Sequence, residues 1–353
     1  MTLEADPVPA PRRPASIGDV ARRAGVSVPT VSRVLTGAAK VSPQRLERVL
    51  QAIDELDYRP SETARALVSG RARTIAVLSS DTAIYGYSTT IRGIESAARA
   101  AGYSVAIVVI DGTDEDAVDR AVEAALRQPL AGAMVLTFDA AGVAVLAGLP
   151  AWVPVVAVSG LPDPAHSQAL LDEVAGGAEI TRYLLGLGHR TVHHVSVPPS
   201  RAEDGRTTGW RAALEEAGAE VPPVVPATWD ARSGVEVGRR LADRPEVTAV
   251  FCGNDEIAMG VLAGLADGGR SVPDEISVVG FDDHPLSSVW RPGITTIAQD
   301  FDDLGGRAFT LLERLVDGDA APAQSTAVPT LVVRGSTAPP RRPADPPREP
   351  LGD

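Results

Sequence analysis

The sequence predicts an α/β protein: a small all-α head followed by a body of parallel, doubly wound sheets in two lobes. Three observations carry this. From Ser16 to about Tyr58 the pattern is one of short helices with no strand-like run. From Arg73 onward, strand-length apolar runs alternate with helix-length stretches. Such βα repetition builds parallel sheets with helices on both faces. Finally, the 353-residue chain offers more strands than one sheet of ordinary width holds, and enough length for two lobes.

In the head, Ile17–Ala24 forms a first helix that Gly25 ends as a left-handed C-cap. Ser27 is placed to cap a second helix, Val28–Leu35, and Pro29 falls in its tolerant first turn. Ser42 is expected to cap a third, from Pro43 to Leu56. In the body, strands are expected at Thr74–Ser79, Tyr103–Ile110, Gly132–Thr137, Val153–Ser159, Ala169–Asp172, Thr191–Val197, Thr248–Cys252, Ile276–Phe281 and Ala327–Arg334. Helices are expected at Ser88–Ala101, Glu115–Arg127, Val143–Ala147, Gly176–Leu187, Arg206–Ala217, Ser233–Ala242, Asp255–Ala266 and Asp300–Val316. Residues 1–14 and 338–353 are rich in Pro and Arg and read as disordered tails.

Composition narrows the function. Residues 1–73 hold twelve Arg and Lys against eight Asp and Glu, a head of +4 on a body of −17. A basic head suits phosphate contacts, and an acidic body repels DNA and disfavours wrong binding modes. The single cysteine, Cys252, sits in an apolar run and reads as core; with no intramolecular disulfide possible, a reducing compartment is expected. The N-terminus has no apolar signal core, so a cytoplasmic protein, nucleoid-associated when on DNA, is expected. The apolar stretch Ala131–Gly160 is cut by Asp139, Gly142, Gly148, Pro150 and Pro154 into strand and helix lengths, which argues against a membrane partner.

The first two helices read as a DNA reader. A tight helix-turn-helix needs a small residue in helix one, a glycine in the turn and an apolar core residue in helix two; Ala21, Gly25 and Val31 supply them. Helix two would then enter the major groove with Val28, Pro29, Thr30, Ser32 and Arg33 outward. Arg33 suits a bidentate pair with guanine, and Thr30 or Ser32 a phosphate or base contact.

In the body, polar clusters fall where strands end, and open parallel sheets bind ligands at their carboxyl ends. Ser79-Ser80-Asp81, Asn254-Asp255-Glu256 and Asp282-Asp283 follow strands, Arg206 opens a helix, and Trp229 lies in a loop. Carboxylates, an amide and an arginine around an aromatic ring suit a polyhydroxylated ligand, whose hydroxyls both donate and accept. Each residue alone also reads as a cap or turn residue; Asp255 could simply cap its helix. His193-His194 lies in an expected strand, with one ring buried. No G-x-S-x-G, P-loop, H-E-x-x-H or metal-spaced Cys/His set is present, so no enzyme, metal or cofactor is expected.

The runs IGDVARRAGVSVPTVSRVLTG and VSPQRLERVLQAIDELDYRPSETARAL closely resemble the head of the lactose-repressor (LacI/GalR) family. DGRTTGW, CGNDEIAMG, ISVVGFDD and TTIAQDF match its sensing domain, so the resemblance runs to about residue 335. It implies a helix-turn-helix head at 15–59, a hinge helix or linker at 60–72, and a periplasmic-binding-protein-like sensing and dimerisation domain at 73–337. Lobe one of that domain is about 73–171 and 299–328, and lobe two about 172–298 and 329–337. It implies that Ser16, Lys40, Ser42 and Tyr58 join the helix-two residues on DNA. Ser61–Ser69 would be a hinge helix, with Leu67 wedged into the minor groove. In the sensor it implies Arg206, Asn254 and Asp282 as the foremost ligand contacts, joined by Trp229, Phe281, Gln299 and Phe301, and also by Ser80, Ile84, Ser159 and Glu256. Ser159 stands where lactose-type members carry an aspartate that contacts the sugar.

The resemblance thus implies a homodimeric repressor that binds a pseudo-palindromic operator and is released by a small carbohydrate, a glycoside or disaccharide. A purine- or nucleoside-responsive repressor, or one whose ligand is a corepressor, remains the alternative. The C-terminal PPRRPADPPREPLGD has no leucine heptads, so a dimer rather than a coiled-coil tetramer is expected.

Overall fold

A computed structural model describes residue 13 and residues 15–36, 41–58, 72–319 and 322–341. The expected hinge helix at Ser61–Ser69, with Leu67, and also Lys40 lie outside the described residues. The chain divides into two compact units, Met1–Thr74 and Ile75–Asp353.

The head consists of α1 (Ile17–Ala24), α2 (Val28–Thr36) and α3 (Pro43–Glu55). Ser16 caps α1 in a reciprocal capping box with Asp19, which satisfies donors that a helix end leaves orphaned. Gly25 ends α1 at φ 64°, a left-handed conformation that an L side chain resists. Val20, Ala21, Ala24, Val31, Val49, Ala52 and Tyr58 fill the core between the three helices. Ser42 precedes α3 with extended backbone but makes no side-chain cap bond; Pro43 at the first position removes one donor that a cap would have served.

In the second unit, one sheet runs in the order β11-β5-β4-β3-β1-β2. Its strands are β1 (Thr74–Ser79), β2 (Ser104–Val109), β3 (Gly132–Leu136), β4 (Val155–Ser159), β5 (Ser167–Leu171) and β11 (Gln324–Ala327). Strands β1, β3, β4, β5 and β11 pair in parallel. Helices α4 (Tyr85–Ala100) and α11 (Phe301–Val316) pack on one face, and α5 (Glu115–Leu126) and α6 (Ala140–Gly148) on the other.

A second sheet, in the order β7-β6-β8-β9, contains β6 (His193–Ser196), β7 (Val225–Pro226), β8 (Ala249–Cys252) and β9 (Ser277–Val279), all parallel. It is covered by α7 (Glu173–Gly186) and α8 (Gly205–Glu216) on one side, and by α9 (Ala231–Ala242) and α10 (Asp255–Asp267) on the other. Helices α9 and α10 approach backbone to backbone: a Cβ on Gly260 would collide with the Ala231 carbonyl, and one on Gly264 with that of Val235.

Two expectations change. Ala327–Arg334 is not one strand. β11 completes the first sheet, Val328-Pro329 interrupts, and β12 (Thr330–Val332) pairs antiparallel with β10 (Thr296–Ala298) beside the second sheet. Proline lacks the ladder donor, which is why the strand breaks there. The chain is also not loose from residue 338. The Ala338 N–H donates to Ser277 Oγ at 3.0 Å, and its carbonyl accepts from the same hydroxyl at 3.0 Å. The Ala338 carbonyl also lies 3.1 Å from His189 Nε2. The chain therefore crosses between the two sheets three times: from β5 into α7, from β10 into α11 and from β11 into β12.

Candidate functional site

On the head, the α2 residues expected on DNA present a polar and apolar surface. Val28 is 42% exposed, Pro29 and Arg33 are exposed, and Thr30 and Ser32 are half-buried. The Ser27 and Thr30 hydroxyls lie 3.0 Å apart, which orders the first turn of α2. Val31 faces inward and is fully buried, as the helix-turn-helix argument requires. Tyr58 departs from a purely DNA-facing reading: its ring belongs to the head core and is 8% exposed. The α1 arginines are engaged locally, Arg22 with Asp19 at 2.8 Å and Arg23 with Glu55.

In the second unit, the residues expected at the ligand site converge between the lobes. Arg206, near the start of α8, is 4% exposed. Its Nε and Nη2 donate to Glu173 Oε1 at 3.1 and 2.8 Å, Nη1 donates to the Gly253 carbonyl, and Nη2 pairs with Asp282 Oδ1 at 3.3 Å. The guanidinium lies over the Phe281 ring, 4.5 Å from its centroid. Burial opposes its charge, but Asp282 and Glu173 outweigh burial and keep it protonated. Burial pushes the Glu173 and Asp282 carboxyls up, against the pull of that same guanidinium.

Asp282 has φ 101°, a conformation that non-glycine residues adopt at a cost of roughly 1–3 kcal/mol. It is held there because its N–H donates to the Ile297 carbonyl at 2.8 Å and Gln299 Nε2 donates to Oδ1 at 2.8 Å. Asn254, not Asp255, caps α10: Oδ1 accepts from the Ile257 N–H at 2.8 Å, and Nδ2 reaches the Trp229 carbonyl at 3.2 Å, fixing the tryptophan loop. Asp255 is buried beneath the loop after β9. Thr296 Oγ1, Ser287 Oγ and the His284 N–H donate to it at 2.7, 2.7 and 2.6 Å, yet burial pushes its carboxyl up to about 8. A Cβ on Gly280 would collide with it, so only glycine fits there.

From the other lobe, Asp139 caps α6 and also accepts from the Tyr87 hydroxyl at 2.7 Å and from the Ser80 hydroxyl. Tyr87 meets Trp229 edge-on across the cleft at 6.1 Å, and Phe138 meets both Tyr87 and Phe301 at 5.1 and 6.3 Å. Ile84 begins α4 without a side-chain cap. Two expected contacts are otherwise engaged: the Ser159 hydroxyl bonds both the N–H and the carbonyl of Leu161, and Phe281 is fully buried beneath Arg206, a support rather than a lining. Sequence reasoning missed Glu173, Asp139, Tyr87 and Phe138. Thr137, Phe138, Gly160, Glu173, Arg206 and Trp229 are among the residues enclosing a cavity of about 20 Å³, room for about one water.

His194 packs within the core of the second sheet. It is fully buried, stacks on Phe251 at 4.6 Å, and its ring nitrogens lie 3.0 Å from the Phe251 carbonyl and 2.9 Å from Thr207 Oγ1. Burial pulls it down to about 4, so it is neutral. Among the described residues no His, Cys, Asp and Glu cluster could hold a metal, and no helix is long and apolar enough to cross a membrane.

Residues 16–61 match the family described as "Bacterial regulatory proteins, lacI family", and residues 181–337 match the "Periplasmic binding protein-like domain". The ribose operon repressor of Escherichia coli is 33% identical over 333 residues, covering 91% of this chain and 99% of that protein. The chain belongs to the lacI family. The HTH-type transcriptional repressor PurR of Vibrio campbellii is 32% identical over 329 residues, 91% of this chain and 98% of its own length. The lac repressor dimer bound to operator and the anti-inducer ONPF superposes at a TM-score of 0.83 with 30% identity, over 92% of this chain and all of that one. A transcriptional regulator CelR–cellobiose complex is similar at 0.67 with 29% identity, over 91% and 99%. As a member of the lacI family, the chain is a DNA-binding transcriptional repressor with a ligand-binding domain.

Proposed function

We propose that this lacI-family repressor binds a pseudo-palindromic operator as a homodimer in the cytoplasm and is released by a small carbohydrate held between its lobes. The observation that carries the carbohydrate reading is the Arg206 cluster. A buried guanidinium is clamped by Glu173 and Asp282, Gln299 holds Asp282, Asn254 holds the Trp229 loop, and Trp229 lines the cavity and meets Tyr87 edge-on. Alternating donors and acceptors next to aromatic faces are what sugar hydroxyls and C–H faces need. Relatives named for ribose and crystallised with cellobiose support the same class.

The cavity of about 20 Å³ is far smaller than the roughly 300 Å³ or more of a ligand pocket, so the lobes must part for entry. Arg206, Asn254, Asp282, Gln299 and Glu256 are the proposed contacts, and Arg33 with Leu67 the proposed specific and wedging contacts on DNA. Coupling requires that the sugar bind one lobe arrangement better than the other, and by linkage operator must weaken sugar binding by the same factor.

The test titrates full-length protein on fluorescent operator with a panel of pentoses, hexoses, disaccharides and nucleosides. Release by a carbohydrate is the expected result. Release by a purine or nucleoside would replace the effector, and tighter DNA binding on sugar addition would make the ligand a corepressor.

A further inference from the structure

Among the described residues, three buried side-chain polar atoms have no hydrogen-bond partner: Glu256 Oε2, Gln299 Oε1 and Arg270 Nε. The first two flank one carboxylate. Gln299 Nε2 donates to Asp282 Oδ1, and the charge of Glu256 acts on Asp282. Both orphaned atoms are acceptors. The Gln299 amide is oriented with its nitrogen on Asp282, the arrangement that an ionised Asp282 requires. Gln299 is 5% exposed, so bulk water does not satisfy its oxygen. A buried acceptor without a donor costs about 1–3 kcal/mol, a cost that a donating ligand removes.

Around these atoms the acidic groups outnumber the basic ones. Glu173, Asp282 and Asp204 act on Arg206, and Arg206 in turn acts on Glu256, so four carboxylates share one guanidinium. That guanidinium is already spoken for by Glu173, Asp282 and the Gly253 carbonyl. Burial pushes the carboxyls of Glu173, Glu256 and Asp282 up, against the pull of Arg206 on each of them. An anionic substituent entering here would meet more carboxylates than cations and would have to take Arg206 from its partners. A hydroxyl or ammonium group would instead fill Glu256 Oε2 and Gln299 Oε1.

We infer that this cleft selects an effector by charge: it takes neutral or amine-bearing sugars and rejects phosphorylated and uronic ones. This rests on the carbohydrate reading above and adds to it the charge class of the ligand. Glu256 is the residue that sets the preference, because it brings the negative charge that Arg206 does not pair directly.

The test is calorimetry on the full-length protein at pH 6.5 and fixed ionic strength, using matched sets. These are glucose, glucosamine and glucose 6-phosphate; galactose, galactosamine and galacturonate; ribose and ribose 5-phosphate. In every set that binds, the neutral or amine-bearing member is expected to bind at least about tenfold more tightly than the anionic one, since like-charge juxtaposition suppresses wrong ligands. Glu256→Gln, checked for unchanged thermal unfolding, should narrow the amine-to-anion ratio by at least about threefold. An anionic member binding as well as or better than its neutral counterpart overturns the inference while leaving the carbohydrate reading standing. An unchanged ratio in Glu256→Gln overturns the role of Glu256. Binding by no member of any set, together with no release of operator by any disaccharide of the panel above, removes the carbohydrate reading, and the inference with it.

Discussion

On one face of the cleft, Asp139 receives the Tyr87 hydroxyl, the Ser80 hydroxyl and the Gly142 N–H. On the opposite face, Glu256 and Gln299 each keep an acceptor with no donor, and Arg206 balances carboxylates that outnumber it. A wall whose polar atoms already serve one another gains little by exchanging them for a ligand. A wall with unmet acceptors gains a great deal. The second lobe therefore carries the selectivity, whereas the first supplies a rigid wall in which Phe138 packs edge-on against Tyr87 and Phe301.

The sharpest way to break this contrast is Asp282→Ala, which removes a partner from both Arg206 and Gln299. Effector affinity should fall by roughly 2–5 kcal/mol, the range for truncating one partner of a buried charge pair. Operator binding by the free protein should persist; calorimetry and anisotropy read the two separately. A variant that still released DNA at the normal sugar concentration would remove the cleft assignment.

The next effect comes from Asp255. Its folded carboxyl titrates at about 8 against an ordinary 3.8, so the folded chain holds a proton that the unfolded chain releases. This contribution is complete below about pH 4 and is lost as pH rises towards 8, by up to about 1.4 kcal/mol per pH unit. His194 works in the opposite direction: its folded value of about 4 means that stability falls as pH drops below its ordinary 6.5. Urea unfolding of wild type and Asp255→Asn at pH 5 and 8 isolates the first term. The variant should show the flatter loss towards alkaline pH, and identical slopes would refute the assignment.

Smaller changes sharpen the contrast further. Ending the chain before Ala338, compared with ending it after Arg341, should cost roughly 1–3 kcal/mol, because Ser277 and His189 lose buried partners. Tyr87→Phe, on the satisfied face, removes a hydrogen bond to the Asp139 carboxylate and should cost about 1.5–3 kcal/mol of stability, yet shift effector affinity less than Asp282→Ala does. A Tyr87→Phe loss equal to that of Asp282→Ala would erase the distinction between the faces.

The architecture was legible because its signals are local. Ser16 and Gly25 announce the ends of α1, and the alternation of apolar runs announces the parallel sheets. Arg206, Asn254 and Asp282 were legible through motif resemblance, and they do converge. Glu173 was not, because an acid in the first turn of a helix ordinarily answers the helix dipole and nothing more. Asp139 was hidden for the same reason: it reads as a cap, and its second oxygen finds Tyr87 only through tertiary packing. The break at Pro329 was written in the sequence, since proline interrupts a strand, but the switch of sheets that follows it is a matter of topology.

The three crossings between the lobes have a mechanical consequence. A single tether would allow one lobe to swing and spin about the other. Three connections side by side resist twist and sliding and leave bending as the soft motion. Work done by a small molecule at one end of such a flexure is delivered as rotation about one axis, and a substitution at Asp300, Val328 or Pro329 would alter the stiffness of the joint rather than the grip on the cargo.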